Sequence, residues 1–389
     1  MQRRLVLILS SLVLLTAAAA LWLPGWIENR LNLTIAHQPW PMSPQAQILH
    51  QSLVVGDLHA DTTLWDRDLL VRGDRGHVDV PRLREGNIAV QVFSAVTRSP
   101  AGQDYHSNSS EGLDTITLLA LAQAWPPRTW NSLYQRALFQ ADRLHDTAAR
   151  APEQLQVITG RSELRQLLSR RQAGMRTVGA VLGIEGAHAL EGRLDRIDGL
   201  YQAGFRIVGL QHFFDNRLGG SLHGESRGGL TDFGRQAVDA LLARGMIIDL
   251  AHSSEQVVRD VLAHTDRPLL ISHSGFYGHC PGPRNISDDL MRAVAAQGGL
   301  IGVGFWEAAI CDPSPDGIAA AIRYGIQLVG AEHIALGSDF DGAVTTPFDA
   351  TEMAAVTHAL IEAGVSHSNI RRVMGGNLIE FLLNTLPTV

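Results

Sequence analysis

Three histidines, a glutamate and an aspartate stand at spacings in this chain that suit a shared metal centre. His59 and Asp61 are two residues apart, and in an extended strand a period of two sends both side chains to one face, where they can hold one cation. Glu185 follows an apolar run over 178–184 that cannot bury a carboxylate without a partner, and a cation is the obvious one. His252 and His273 each close an apolar run, with one βα unit between them. A core histidine satisfied by a backbone carbonyl is the alternative for either alone. All of them converging on one place favours ligation. Imidazole and carboxylate donors with a bridging carboxylate suit two transition ions, zinc above all, which at about 3.5–4 Å apart would hold a hydroxide between them.

Further polar residues could complete a reaction. Asp339 lies in Gly337-Ser338-Asp339-Phe340-Asp341-Gly342, where Asp341 competes with it and either could be a turn aspartate. His212 is not needed to fill two metal sites and could donate to a developing oxyanion. Arg284 could clamp a substrate carboxylate in the two-pronged manner of guanidinium, although a loop arginine is more often a surface charge.

Composition removes competing chemistries. The 32 Lys+Arg side chains are all arginine, so no lysine Schiff base, no phosphate-loop lysine and no modified bridging lysine is available. A net charge of −7 has the wrong sign for a nucleic-acid binder. Cys280 and Cys311 are too few for a disulfide scaffold or a four-thiolate zinc site, which leaves one disulfide open.

These residues need elements to position them. Short β-branched runs alternate with helical patterns, placing candidate strands at 53–59, 88–96, 178–184, 206–212, 246–249, 268–273, 299–305 and 334–337. Helical patterns lie between them at 195–203, 231–244, 254–265, 287–297 and 315–329, several opened by Ser, Thr or Asp. Such alternation predicts an α/β fold with a parallel sheet, and eight units favour a closed (β/α)8 TIM-like barrel. The candidate site residues then fall at the C-terminal ends of the strands, where barrel enzymes keep their active sites. A helical insertion over 97–176 follows the second strand, with patterns at 111–124 and 132–149.

The N-terminus reads as an export signal. Arg3 and Arg4 precede an uncharged apolar run over 5–23, and the first acid is Glu28. Residues 1–30 are therefore expected as a cleavable signal peptide, with Ala18-Ala19-Ala20 as the small-residue site, or as an uncleaved transmembrane anchor flanked by Trp22 and Trp26. Residues 31–50, rich in Pro and Gln, are expected as a linker, and 51–389 as the catalytic domain. The body would lie in the periplasm, anchored to the inner membrane or released, where Cys280 and Cys311 could pair.

Taken in order, Asp57-Leu58-His59-Ala60-Asp61, Ile184-Glu185-Gly186-Ala187-His188, Leu250-Ala251-His252-Ser253, Ser272-His273-Ser274, Arg284-Asn285-Ile286-Ser287-Asp288-Asp289, Gly337-Ser338-Asp339-Phe340-Asp341-Gly342 and Gly375-Gly376-Asn377 resemble the membrane (renal-type) dipeptidases, zinc peptidases of the amidohydrolase-like barrel group. The resemblance covers roughly 54–382. It implies that Glu185 bridges two zinc ions, with His59 and Asp61 on one and His252 and His273 on the other. It also implies substrate-facing roles for His212 and Arg284 and a catalytic role for Asp339. Cys280 and Cys311 sit near where some members carry a disulfide. The mammalian members have a Leu-Pro pair where this chain has Thr62-Thr63, and the insertion over 97–176 has no motif that aligns.

The expectation is an exported binuclear zinc dipeptidase in which the bridging hydroxide attacks the scissile carbonyl of a dipeptide. Two rivals stand beside it. The same site could act on another amide, a β-lactam or an exported peptide-derived metabolite, or the barrel could serve a non-catalytic maturation or scaffold role at the membrane. Pairing into a homodimer is compatible with any of these.

Overall fold

The computed structural model describes residues 22–388. All eight expected strands form, and a ninth joins them: β1 Val55–Ala60, β2 Ile88–Val96, β3 Leu155–Val157, β4 Val178–Glu185, β5 Phe205–Gly209, β6 Ile247–Asp249, β7 Leu270–Ser274, β8 Leu300–Val303 and β9 Ile334–Leu336. Every pairing is parallel. The hydrogen-bonded order runs β2-β1-β9-β8-β7-β6-β5-β4, and β2 pairs with β4 from Val90–Gly179 to Val96–Glu185, which closes the ring. This is the (β/α)8 barrel. β3 stands outside it: Gly179 and Ala180 pair with β2 on one edge and with β3 on the other. β3 was not expected, because three residues are too few to display a period of two.

The eight barrel strands are buried along their length, as parallel strands covered on both faces must be. Helix starts follow their caps. Thr231, Ser254 and Ser314 accept from the backbone N–H of Gly234, Val257 and Gly317, opening helices Asp232–Ala243, Glu255–His264 and Pro315–Val329. One apolar cluster joins Leu58, Val90, Val181, Ile207 and Leu270 to Leu378, Phe381 and Leu382 of helix Asn377–Thr385. That helix closes the end where strands begin: a Cβ on Gly56, near the start of β1, would fall 2.7 Å from Leu378 Cδ2. The opposite end is left open for the site. The insertion after β2 contributes helices Thr115–Ala122, Leu133–Arg150 and Arg161–Gln172.

The expected export segment lies outside the described residues up to position 21. Residues 22–31 are helical, and among the described residues no helix is long and apolar enough to cross a membrane. Residues 31–50 pack on the barrel instead of forming a free linker. Thr34 bridges to Thr346, and helix Pro44–Gln51 buries Ala46, Leu49 and His50, the last bonded to Thr357 Oγ1 at 2.9 Å. Proline and glutamine content masked this helix, whose buried face is carried by only these residues.

Candidate metal centre

The open end of the barrel gathers the predicted residues from six different strands. His59 lies within β1, Glu185 is the last residue of β4, and His273 lies within β7. Asp61, His212, His252 and Asp339 lie in the loops just after β1, β5, β6 and β9. All seven are buried.

Their ligand-type atoms converge on Glu185. Its Oε1 is 2.9 Å from His252 Nε2, 3.3 Å from His273 Nε2 and 3.8 Å from His59 Nε2, while its Oε2 is 3.3 Å from His212 Nε2. His59 Nε2 lies 3.2 Å from Asp61 Oδ1 and 3.8 Å from Asp339 Oδ1. Three overlapping sets have donor atoms within 4.8 Å of one another: His59, Asp61 and Glu185; Glu185, His212 and His252; His59, His273 and Asp339. The geometry thus brings His212 and Asp339 within ligand distance too, although the spacing argument had set them aside from the metal.

The donor set fits metal ions on its own chemistry. Ser272 Oγ donates to Asp249 Oδ2 at 2.6 Å, leaving its oxygen to accept from His273 Nδ1 at 2.8 Å and His59 Nδ1 at 3.4 Å. With both protons on Nδ1, both rings aim a bare Nε2 lone pair into the site. Nε2 of His252 and His273 approach to 3.0 Å, and His59 Nε2, Asp61 Oδ1 and Glu185 Oε1 are buried without a hydrogen-bond partner. Charge makes the same demand. Burial works against a charge on His59, yet Glu185 and Asp61 push its imidazole up to about 10. Burial, with Asp61 and Glu185 adding to it against the pull of His59, raises the Asp339 carboxyl well above the usual carboxylate range. Three buried carboxylates therefore call for positive charge that cations would supply.

Asp339 and Asp341 divide cleanly. Both have left-handed backbones, φ 61° and 63°, which aspartate tolerates and which turn the two side chains to different surroundings. Asp341 is fully buried, pairs with Arg67 at 2.5 Å and accepts from His77 N at 2.6 Å. Asp341 is a structural anchor, and Asp339 is the one that faces the site. Arg284 is also buried: Nη1 donates to Ala251 O at 2.9 Å, Nη2 to His273 O at 2.5 Å, and its guanidinium lies over Trp306. Its Nε has no partner. His212 donates from Nδ1 to Arg98 O at 3.2 Å and presents Nε2 to the site. Cys280 and Cys311 form a disulfide that ties the loop after β7, which carries Arg284, to the loop after β8.

Asp249, the last residue of β6, and Ser272, within β7, were missed. So was Tyr105, whose hydroxyl accepts from Trp306 Nε1 at 2.9 Å and is pushed up to about 12 by burial. It comes from the insertion, where no periodicity marks it. Trp65, in the stretch that departs from the mammalian pattern, donates to Asp341 O at 2.7 Å. A cavity of about 1110 Å³ opens over the cluster, reaching Asp61, Glu185, His212, His252, His273, Arg284 and Asp339.

Comparison with known proteins agrees with this geometry. The family model of the membrane dipeptidases, peptidase family M19, matches residues 43–385. Dipeptidase aclJ of Aspergillus oryzae is 27% identical over 361 residues, covering 87% of this chain and 80% of the relative. Dipeptidase ataJ of Aspergillus terreus is 26% identical over 336 residues, covering 79% and 76%. A metallo peptidase from Rhodobacter sphaeroides, solved with a phosphinate mimic of the dipeptide L-Ala-D-Ala, shares the fold with a TM-score of 0.70 at 22% identity, over 86% of this chain and 99% of that one. A match spanning nearly the whole barrel, over a mouth built of metal-ligand side chains, makes this chain a metallopeptidase that belongs to the membrane dipeptidase family.

Proposed function

We propose that this protein hydrolyses dipeptides with two zinc ions held at the barrel mouth, His59, Asp61 and Glu185 on one and Glu185, His252 and His273 on the other. The convergence of Nε2 atoms from three strands on Glu185 Oε1 carries the reading. When bound, the ions supply Lewis acidity that polarises the scissile carbonyl and acidifies the attacking water.

The chain's own groups do the rest. Asp339 takes the proton from the attacking water at its carboxylate and passes it to the leaving amine nitrogen, one group acting as base and then acid. His212, fixed by Arg98 O, aims Nε2 at the oxyanion and donates to it when doubly protonated. Arg284 meets the substrate's free carboxylate with Nε, its two other nitrogens being tied to Ala251 and His273. That contact limits the enzyme to short substrates. Export to the periplasm by the N-terminal segment is part of the proposal, and the disulfide and the apolar run over 5–23 support it.

Zinc content and turnover of a panel of dipeptides with L- and D-residues test the reading. Two zinc ions per chain are expected, with metal and activity lost together in Glu185→Ala. Asp339→Asn is expected to keep zinc and lose about 10²–10⁴-fold in kcat. Full turnover by Glu185→Ala with both ions retained would overturn the bridging assignment.

A further inference from the structure

We infer that residues 28–35 strap down the loop after β9 and so set the position of Asp339, with Glu28 and Asn32 as the positioning residues; this rests on the reading of Asp339 as the group that moves the proton. The strap precedes the region shared with the family, which begins at residue 43. The loop it crosses needs holding. Asp339, Asp341 and Ala343 have left-handed backbones, φ 61°, 63° and 59°, three non-glycine residues out of five in a conformation that persists only where the surroundings impose it. Ala343 has no polar side chain to bond locally and offset that conformation.

Residues 28–35 meet the loop at three points. Glu28, 1% exposed, receives Arg67 Nε at 2.6 Å and Arg75 Nε at 2.7 Å, and Arg67 reaches on through Nη2 to Asp341 Oδ2 at 2.5 Å. Asn32 accepts from Ala343 N at 2.8 Å; because that group is a donor, the oxygen of the amide must face it. Thr346 N donates to Leu33 O at 3.0 Å, and Ile35 N donates to Thr346 O at 2.9 Å, which pins the far end. Asp339 is joined to the pinned span by its own carbonyl, which accepts from Gly342 N at 3.0 Å. His59, Asp61, Glu185, His252 and His273 belong to other strands and their loops, so the strap bears on Asp339 and leaves the proposed metal ligands in place.

The test uses the full-length, zinc-loaded protein. Glu28→Gln keeps the shape of the side chain and leaves Arg67 paired with Asp341, while Asn32→Ala removes the acceptor for Ala343 N; each is read alone and the two together. The pair is expected to keep its zinc and its KM for a dipeptide, to lose up to about 10²-fold in kcat, and to speed amide hydrogen exchange in 339–346. Added to Asp339→Asn, the same two changes should cost nothing further, since the group they position no longer moves a proton. Ile48→Gln, at a position 70% exposed on helix Pro44–Gln51, is the control and should leave exchange and kcat unaltered. Unaltered exchange and kcat in the strap variants would overturn the inference and leave the dipeptidase reading intact. An equal further loss in the Asp339→Asn background would overturn it as well, because the strap would then act elsewhere. Full turnover by Asp339→Asn sinks the proton-transfer reading by itself, and exchange in 339–346 then decides the strap: faster exchange upholds it, unchanged exchange removes it.

Discussion

A single hydroxyl sets the direction of two imidazoles at the barrel mouth. Ser272 gives its proton to Asp249 and accepts from Nδ1 of both His59 and His273, so one residue fixes the tautomer of both rings. Ser272→Ala removes that acceptor and leaves two buried Nδ1–H groups unpaired. Zinc affinity should fall about 10–100-fold, measured by competition with a chelator, while saturating zinc restores much of the turnover. Unchanged affinity would mean that packing alone orients the rings. Asp341 makes the opposite point about neighbouring residues. Two positions from Asp339, it serves Arg67 and His77, and only its surroundings show that it is an anchor.

Between elements, the disulfide is the covalent tie at the mouth. Cys280 and Cys311 are 31 residues apart, and closing a loop of that length is worth about 3–4 kcal/mol in the chain-entropy view. Cys280→Ser with Cys311→Ser should therefore lower the melting temperature. It should also raise KM for small dipeptides more than it lowers kcat, because the released loop carries Arg284 and not the metal ligands. A variant with unchanged melting and kinetics would show that packing around Trp306 and Ile310 holds the loop unaided. Helix Pro44–Gln51 is tied differently, through His50 to Thr357 and Gly86. Burial pushes the His50 imidazole down from 6.5 to about 4. The unfolded chain then binds a proton below pH 6.5 that the folded chain refuses until about pH 4. Stability from neutral His50 is complete above 6.5 and is lost as pH falls toward 4, about 2 kcal/mol between pH 7 and 5. The melting temperature should drop less over that range in His50→Gln than in the unaltered protein.

For the whole molecule, the closed barrel divides labour between its ends. Helix Asn377–Thr385 packs Leu378, Phe381 and Leu382 where the strands begin, and the polar residues occupy the end where they finish. The insertion after β2 and the stretch 22–31 then supply an apolar wall to a mouth whose other side is charged. The insertion is divided the same way: its stretches around Tyr105 and Ile116 line the mouth, while Leu164 and Leu167 of helix Arg161–Gln172 pack with Leu378 and Leu382 at the opposite end.

The sequence alone determined the barrel and singled out the side chains that meet at its mouth, because both depend on short-range rules. Strand runs with a polar residue at the end, separated by capped helices, are visible in a window of about 25 residues, and His59-x-Asp61 is a spacing. What the tertiary structure decided depends on chain segments meeting across the fold. The choice between Asp339 and Asp341 rests on Arg67 and His77, which lie more than 260 positions away. The Asp249–Ser272 tether links β6 and β7 to His59 of β1, and no spacing encodes it. The packing of residues 31–50 needed Thr346 and Thr357 as partners. The apolar wall of the cavity exists only because helices at 22–31 and 115–122, nearly a hundred residues apart, lie over the same mouth. Periodicity tells a residue which way to face; only closure of the barrel decides what it faces.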